Sequence, residues 1–84
     1  MTDPSTIICY GTDWCFDCHR ARKFLDEHNI PYQWVNIDRD PQAEAYVKNA
    51  NNGYRSVPTI VWPDGSILVE PSRRELARKL GLEN

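Results

Sequence analysis

The sequence predicts an α/β fold with elements in the order β-α-β-α-β-β-α, forming a four-stranded mixed sheet flanked by helices. Three observations carry this. Two short apolar runs are bridged by an amphipathic helical pattern, which implies parallel strands joined by a right-handed crossover. Two later runs meet at Pro63-Asp64-Gly65, a hairpin signal that adds antiparallel strands. Helix-start signals stand at Asp40-Pro41 and at Ser72-Arg73-Arg74-Glu75.

Thr6-Ile7-Ile8-Cys9-Tyr10 is β-branched and apolar, is stopped by Gly11, and reads as a strand buried on both faces. From about Cys15 to His28 the pattern is helical. Ala21, Phe24, Leu25 and His28 share one side, and Arg20, Arg22, Lys23, Asp26 and Glu27 cover the other. Asn29 and Pro31 end it, and Tyr32 to Ile37 alternates as a second strand. Asp40 caps the next helix with Pro41 preset at its first position, Tyr46, Val47 and Ala50 inward, and a stop near Asn51-Asn52-Gly53. Thr59 to Trp62 and Ser66 to Val69 form the hairpin strands. The last helix opens on the Ser72–Glu75 capping box, turns Leu76 and Leu80 inward and closes at Gly81. This is a thioredoxin-like plan.

The chain has 84 residues and 9.8 kDa, enough for a single domain over residues 1–84 with a small core. Ten Lys and Arg against 12 Asp and Glu give a net charge of −2, without the basic excess of a nucleic-acid binder. No apolar run approaches the roughly 20 residues of a membrane span. Met1-Thr2-Asp3-Pro4 is neither basic nor apolar and is not a secretory signal. Three cysteines are too few for a disulfide framework, and a secreted domain this small would need two or more bridges. A cytoplasmic protein is expected.

The chemistry lies in Trp14-Cys15-Phe16-Asp17-Cys18, where the first strand gives way to the first helix. Two residues between cysteines let one helical turn bring the sulfurs together. Cys15, at the helix N-terminus, is then an exposed nucleophile whose thiolate is favoured by unpaired backbone N–H groups; Cys18, one turn deeper, resolves. An acidic thiol also leaves faster when its mixed disulfide is resolved. Asp17 opposes the thiolate while suiting the helix start. Trp14 stands beside the nucleophile, to shield it or to contact substrate.

Other readings compete. A C-x-x-C is half a zinc ribbon, but no second pair follows, so no metal site is expected. Cys15 to His19 also spells C-x-x-C-H, the c-type haem attachment; the absence of an export signal and of any methionine besides Met1 speaks against it. His19 reads as a solvent-facing helical residue, His28 as a capping or interfacial one, and Cys9 as an inert buried thiol. Trp34 and Trp62 read as packing residues, and Arg73, Arg74, Arg78 and Lys79 as a solvated helix face.

Together with Arg55-Ser56-Val57-Pro58-Thr59, the Trp14–Cys18 motif makes the chain resemble the glutaredoxins over about Ser5 to Leu80. It is most similar to the mycoredoxin-like glutaredoxins of actinobacteria, through Asn52 to Thr59, Asp64-Gly65-Ser66 and Pro71-Ser72. The resemblance implies that Pro58 is cis and faces the cysteines, and that the Val57 backbone pairs with substrate by strand addition. Arg55 either meets a substrate carboxylate or is a surface arginine. The helix N-terminus opened by Ser72 would receive an anion. Glutathione-using members carry a Gly-Gly pair where Val69-Glu70-Pro71-Ser72 stands here, and a Lys or Arg where Gly11-Thr12-Asp13 stands. These departures favour mycothiol over glutathione as the co-substrate thiol, with no cofactor bound. The expected activity is reduction of protein disulfides or of S-thiolated proteins, by a monomer served by a recycling reductase. The alternatives are a thioredoxin-like electron donor, for example to ribonucleotide reductase, and, from another class, an iron–sulfur cluster carrier or a non-catalytic binding module.

Overall fold

Ile7–Gly11 (β1) runs parallel to Tyr32–Asn36 (β2) and antiparallel to Thr59–Val61 (β3), which pairs antiparallel with Ile67–Val69 (β4). The sheet order is β2-β1-β3-β4, so the expected mixed sheet forms with β1 and β3 central. Phe16–Glu27 (α1), Pro41–Ala50 (α2) and Arg73–Lys79 (α3) complete the predicted order. The structure, a computed structural model, describes residues 6–82; Met1-Thr2-Asp3-Pro4, expected not to be a secretory signal, lies outside them. No helix among the described residues is long and apolar enough to cross a membrane.

The helix boundaries follow their capping residues. Asp40 accepts the Ala43 N–H at 3.1 Å with Pro41 at the first helical position, and Ser72 and Glu75 form both halves of a capping box. Gly81, at φ 71°, closes α3 in the left-handed conformation that glycine adopts without a Cβ penalty. His28 caps α1, its Nδ1 2.9 Å from the Phe24 carbonyl, and is exposed rather than part of the apolar side.

The core falls into two apolar clusters. One joins Ile7, Cys9, Ile60 and Trp62 to Ala21 and Phe24 of α1 and Leu76 of α3. The other joins Cys15, Cys18 and Val57 to Ile37 and to Ala43 and Val47 of α2. Period-2 alternation sends Ile7 and Cys9 into the first. Ile8 and Tyr10 stay half-buried, so β1 is not sealed on both faces as expected: the ten-residue α2 covers its side less fully than α1 and α3 cover theirs.

Two further expectations change. The buried stripe of α2 is Ala43 and Val47, four residues apart; Ala50 is exposed, and Tyr46, 40% exposed, tilts over Tyr10 with ring centroids 5.1 Å apart. A stripe in that phase places position 46 about 100° round the helix from 47, at its margin. Gly11 does not stop β1 but ends inside it, opposite Asn36. A Cβ there would lie 2.6 Å from Cys18 Sγ and 2.7 Å from the Trp34 ring, so the residue marks a close approach of α1 to the sheet.

Candidate active site

Cys15 is the N-cap of α1. Its backbone is extended (φ −88°, ψ 117°), and its sulfur accepts the Cys18 N–H at 3.2 Å, where an Asp or Ser oxygen usually sits. Its thiol faces the Val57 carbonyl at 3.8 Å. The expected exposure of this thiol is corrected: Cys15 is only 9% exposed, because Val57 and its other cluster neighbours cover all but a narrow edge.

Cys18, one turn on, is fully buried. Burial raises its thiol well above the usual range, and a hydrogen bond with Cys15 adds to this, while a backbone hydrogen bond with Thr12 pulls the other way. Cys9 is also fully buried, and desolvation pushes its thiol up to about 12, in keeping with an inert packing residue. All three cysteines are present as thiols.

Val57–Pro58 is a cis peptide bond, as the resemblance implied. The Pro58 carbonyl accepts the Glu70 N–H at 2.8 Å, which brings the segment after β4 against the site. Glu70 itself holds a left-handed backbone with φ 50°. The Ser72 hydroxyl accepts the Glu75 N–H at 3.1 Å, and the Glu75 carboxylate accepts the Ser72 N–H, so the start of α3 already has an acidic side chain on it. His19 is exposed, with Nε2 2.6 Å from the Asp13 carbonyl.

Trp14 is 66% exposed and Phe16 89%, leaving two aromatic faces open on either side of the nucleophile in sequence. Trp14 is nonetheless anchored: its Nε1 donates to Asp38 Oδ2 at 2.9 Å. Arg55 donates to the other Asp38 oxygen and, through Nε at 2.9 Å, to Glu44. The alternative in which this arginine stands ready for a carboxylate thus meets a guanidinium already engaged by two. Asp38 and Glu44 are the residues that the sequence does not announce. They belong to the loop after β2 and to α2, and no spacing rule links them to residue 55. Among the described residues, no group of three or more His, Cys, Asp or Glu is placed to hold a metal ion.

An extended-backbone carbonyl, a thiol at a helix start and a buried second thiol one turn away can together exchange disulfides. The glutaredoxin family model matches residues 7–67. Mycoredoxin 1 of Corynebacterium glutamicum is 36% identical over 76 residues, covering 90% of this chain and 94% of that one. A Mycobacterium tuberculosis protein placed among the glutaredoxins is 37% identical, covering 90% of each. The crystal structure of the thioredoxin-like protein BC3987 superposes with a TM-score of 0.75 at 25% identity, covering 87% of this chain and 97% of that one. The match spans both the cysteine motif and the Val57–Pro58 segment, and the chain belongs to the glutaredoxin family of disulfide oxidoreductases.

Proposed function

We propose that the chain, as one domain over residues 1–84, reduces mixed disulfides between proteins and a small thiol, using mycothiol in preference to glutathione. Cys15 is the nucleophile, Cys18 the resolving thiol, and Trp14, Arg55, Val57, Pro58 and Ser72 border the substrate. The carrying observation is the Cys15 sulfur, at the start of α1 and 3.8 Å from the Val57 carbonyl.

The Cys15 thiolate attacks the small-thiol sulfur of the mixed disulfide. That S–S bond breaks, and the protein thiolate leaves and takes a proton from water. Cys15 is left joined to the small thiol. A second small-thiol molecule, as thiolate, attacks that joined sulfur, returns the Cys15 thiolate and departs as the symmetrical disulfide. A recycling reductase restores two thiols from it. On a protein disulfide, Cys15 attacks one sulfur and releases the other as a thiolate. Cys18 then gives up its proton to the solvent and attacks the Cys15 sulfur; the Cys15–substrate bond breaks and the second substrate sulfur leaves as a thiol. Two small thiols reduce the Cys15–Cys18 disulfide and depart joined to each other. An acidic leaving thiol speeds either resolution. The Val57 backbone pairs with the substrate's peptide-like part by strand addition.

Mycothiol is a cysteinyl sugar without a carboxylate, whereas glutathione carries two. Glu70, at the place of the family's Gly-Gly pair, and the engaged Arg55 both support the former. The working compartment in this reading is the cytoplasm and the working form a monomer, with neither nucleic acid nor membrane as partner. The test is a mixed-disulfide reductase assay run in parallel with mycothiol and with glutathione, each with its own recycling reductase. Cys15→Ser is expected to abolish turnover with either, and Cys18→Ser to retain the small-thiol route. Complete loss in Cys18→Ser refutes that route.

The second reading, a thioredoxin-like electron donor, is favoured by the likeness to the thioredoxin-like protein BC3987 and by the fully buried Cys18. Reduction by a thioredoxin reductase, with no turnover by either small thiol, would select it.

A further inference from the structure

Three separate segments converge beside Cys15, and one side chain joins them. Asp38, in the loop between β2 and α2, accepts Trp14 Nε1 at 2.9 Å from the segment preceding the nucleophile. Its other oxygen accepts Arg55, two residues before Val57. Its own N–H donates to Asn36 Oδ1 at 2.9 Å, and Asn36 Nδ2 donates to Asp13 Oδ2 at 3.1 Å, which fixes the loop against the segment leading to α1. Glu44, from α2, accepts Arg55 Nε at 2.9 Å and Lys48 at 3.4 Å.

The charge count follows. Arg55 is held by two carboxylates, and one of them, Glu44, also pairs with Lys48. Glu70, exposed, has its backbone N–H on the Pro58 carbonyl. Arg55 and Lys48 balance Asp38 and Glu44, so this cluster holds no net positive charge for an approaching anion. An anionic small thiol approaching Cys15 meets a guanidinium that must first exchange one carboxylate for another. Such an exchange between half-exposed groups returns little free energy. The guanidinium's remaining N–H groups can still face hydroxyl and amide oxygens, which need no exchange of charge.

We propose that Asp38 is the positioning residue that sets thiol specificity: with Glu44 it holds Arg55 in an ion-paired state and with Trp14 it frames the approach to Cys15, so the site takes mixed disulfides of uncharged, hydroxyl-rich thiols and discriminates against those bearing carboxylates. This rests on the reading that small-thiol mixed disulfides react at Cys15. The Asp38 carboxyl is held below its usual range by the Trp14 N–H first and by Arg55 next, so it remains an anion at neutral pH.

The experiment measures kcat and KM, with 2-mercaptoethanol as the reducing thiol throughout, for one peptide thiol carried as its mixed disulfide with glutathione and as its mixed disulfide with 2-mercaptoethanol, an uncharged probe. Asp38→Asn and Glu44→Gln each release Arg55 from one acid. Each is expected to raise kcat/KM for the glutathione form about three- to tenfold relative to the uncharged form, chiefly through KM, and the gain should shrink at high salt. Adding Arg55→Gln to either variant should remove the gain, a coupling that general loosening of the site would not produce. Glu44→Gln leaves the Trp14 anchor in place, so it reports even where Asp38→Asn folds poorly. Turnover of both substrates with an unchanged ratio in the variants overturns the specificity role alone. No turnover of either substrate by the wild-type protein overturns the small-thiol reading with it.

Discussion

Replacing Gly11 with alanine tests the packing of the two cysteines' helix on the sheet. The added methyl would meet Cys18 Sγ at 2.6 Å and two Trp34 ring atoms at 2.7 and 2.8 Å. Carbon–carbon contacts are comfortable from about 3.5 Å, so the ring must retreat by roughly 0.8 Å. Trp34 is half-buried beneath the Arg22 guanidinium, 4.1 Å from its ring centroid, and Cys18 is fully buried, so neither moves without disturbing its neighbours. Overpacking of this kind costs about 1–3 kcal/mol. The stiffer unfolded chain offsets about 0.4–1 kcal/mol of that. A net loss of about 1–2 kcal/mol lowers Tm by about 5–15 °C in a domain of this size. Thermal unfolding of the reduced protein gives the first readout. The second is the ratio of two activities: under the proposed roles of the cysteines, reduction of a protein disulfide, which would use Cys18, should fall more than reduction of a small mixed disulfide, which would not. Adding Trp34→Phe, which removes the ring atoms nearest the new methyl, should recover part of the loss. A Tm within about 1 °C of wild type would refute the described approach of α1 to β1, since the contact would then lie outside packing distance.

Asp40→Ala deletes the oxygen that accepts the Ala43 N–H at the start of α2 and should cost about 1 kcal/mol in denaturant unfolding, with the m-value unchanged. Glu70→Gly relieves a side chain at φ 50°; a left-handed residue costs about 1–2 kcal/mol and glycine's entropy returns about 0.5–1, so a net gain of about 0.5 kcal/mol is expected, and a loss would contradict it. Cys9 and Cys18 hold their protons more tightly folded than unfolded. The unfolded chain therefore binds fewer protons as pH rises, and stability, full below the ordinary thiol range, should decline from about pH 9 towards the Cys9 value of about 12. Urea midpoints across that range should fall less steeply in Cys9→Ala than in wild type.

Elements with local causes were legible in the sequence. Asp40-Pro41 and Ser72–Glu75 open their helices because a side-chain oxygen and nearby N–H groups meet within one turn, whatever surrounds them. Pro63-Asp64-Gly65 turns the hairpin for the same reason, with Gly65 at φ 87°. The strand-to-helix position of Cys15 and Cys18 also followed from spacing alone, and the N-cap geometry agrees with it. The phase of α2 did not: its Ala43–Val47 stripe depends on the sheet face it meets, and either a 43/47 or a 46/50 stripe satisfies helical periodicity.

By itself the sequence determined the order of elements, the mixed sheet and the pair of thiols, because hydrophobic period, capping and turn chemistry act over a few residues. Only the tertiary structure decided what surrounds those thiols. The near-burial of Cys15 comes from a cluster that includes Val57, 42 positions along the chain, and Arg55 meets Asp38 and Glu44 across separations of 17 and 11. Gly11 read as a strand stop in the sequence, whereas it lies inside β1 at a close approach of Cys18 and Trp34. Such contacts leave no periodic trace, since they arise where separate segments converge and are settled by packing and charge compensation in three dimensions.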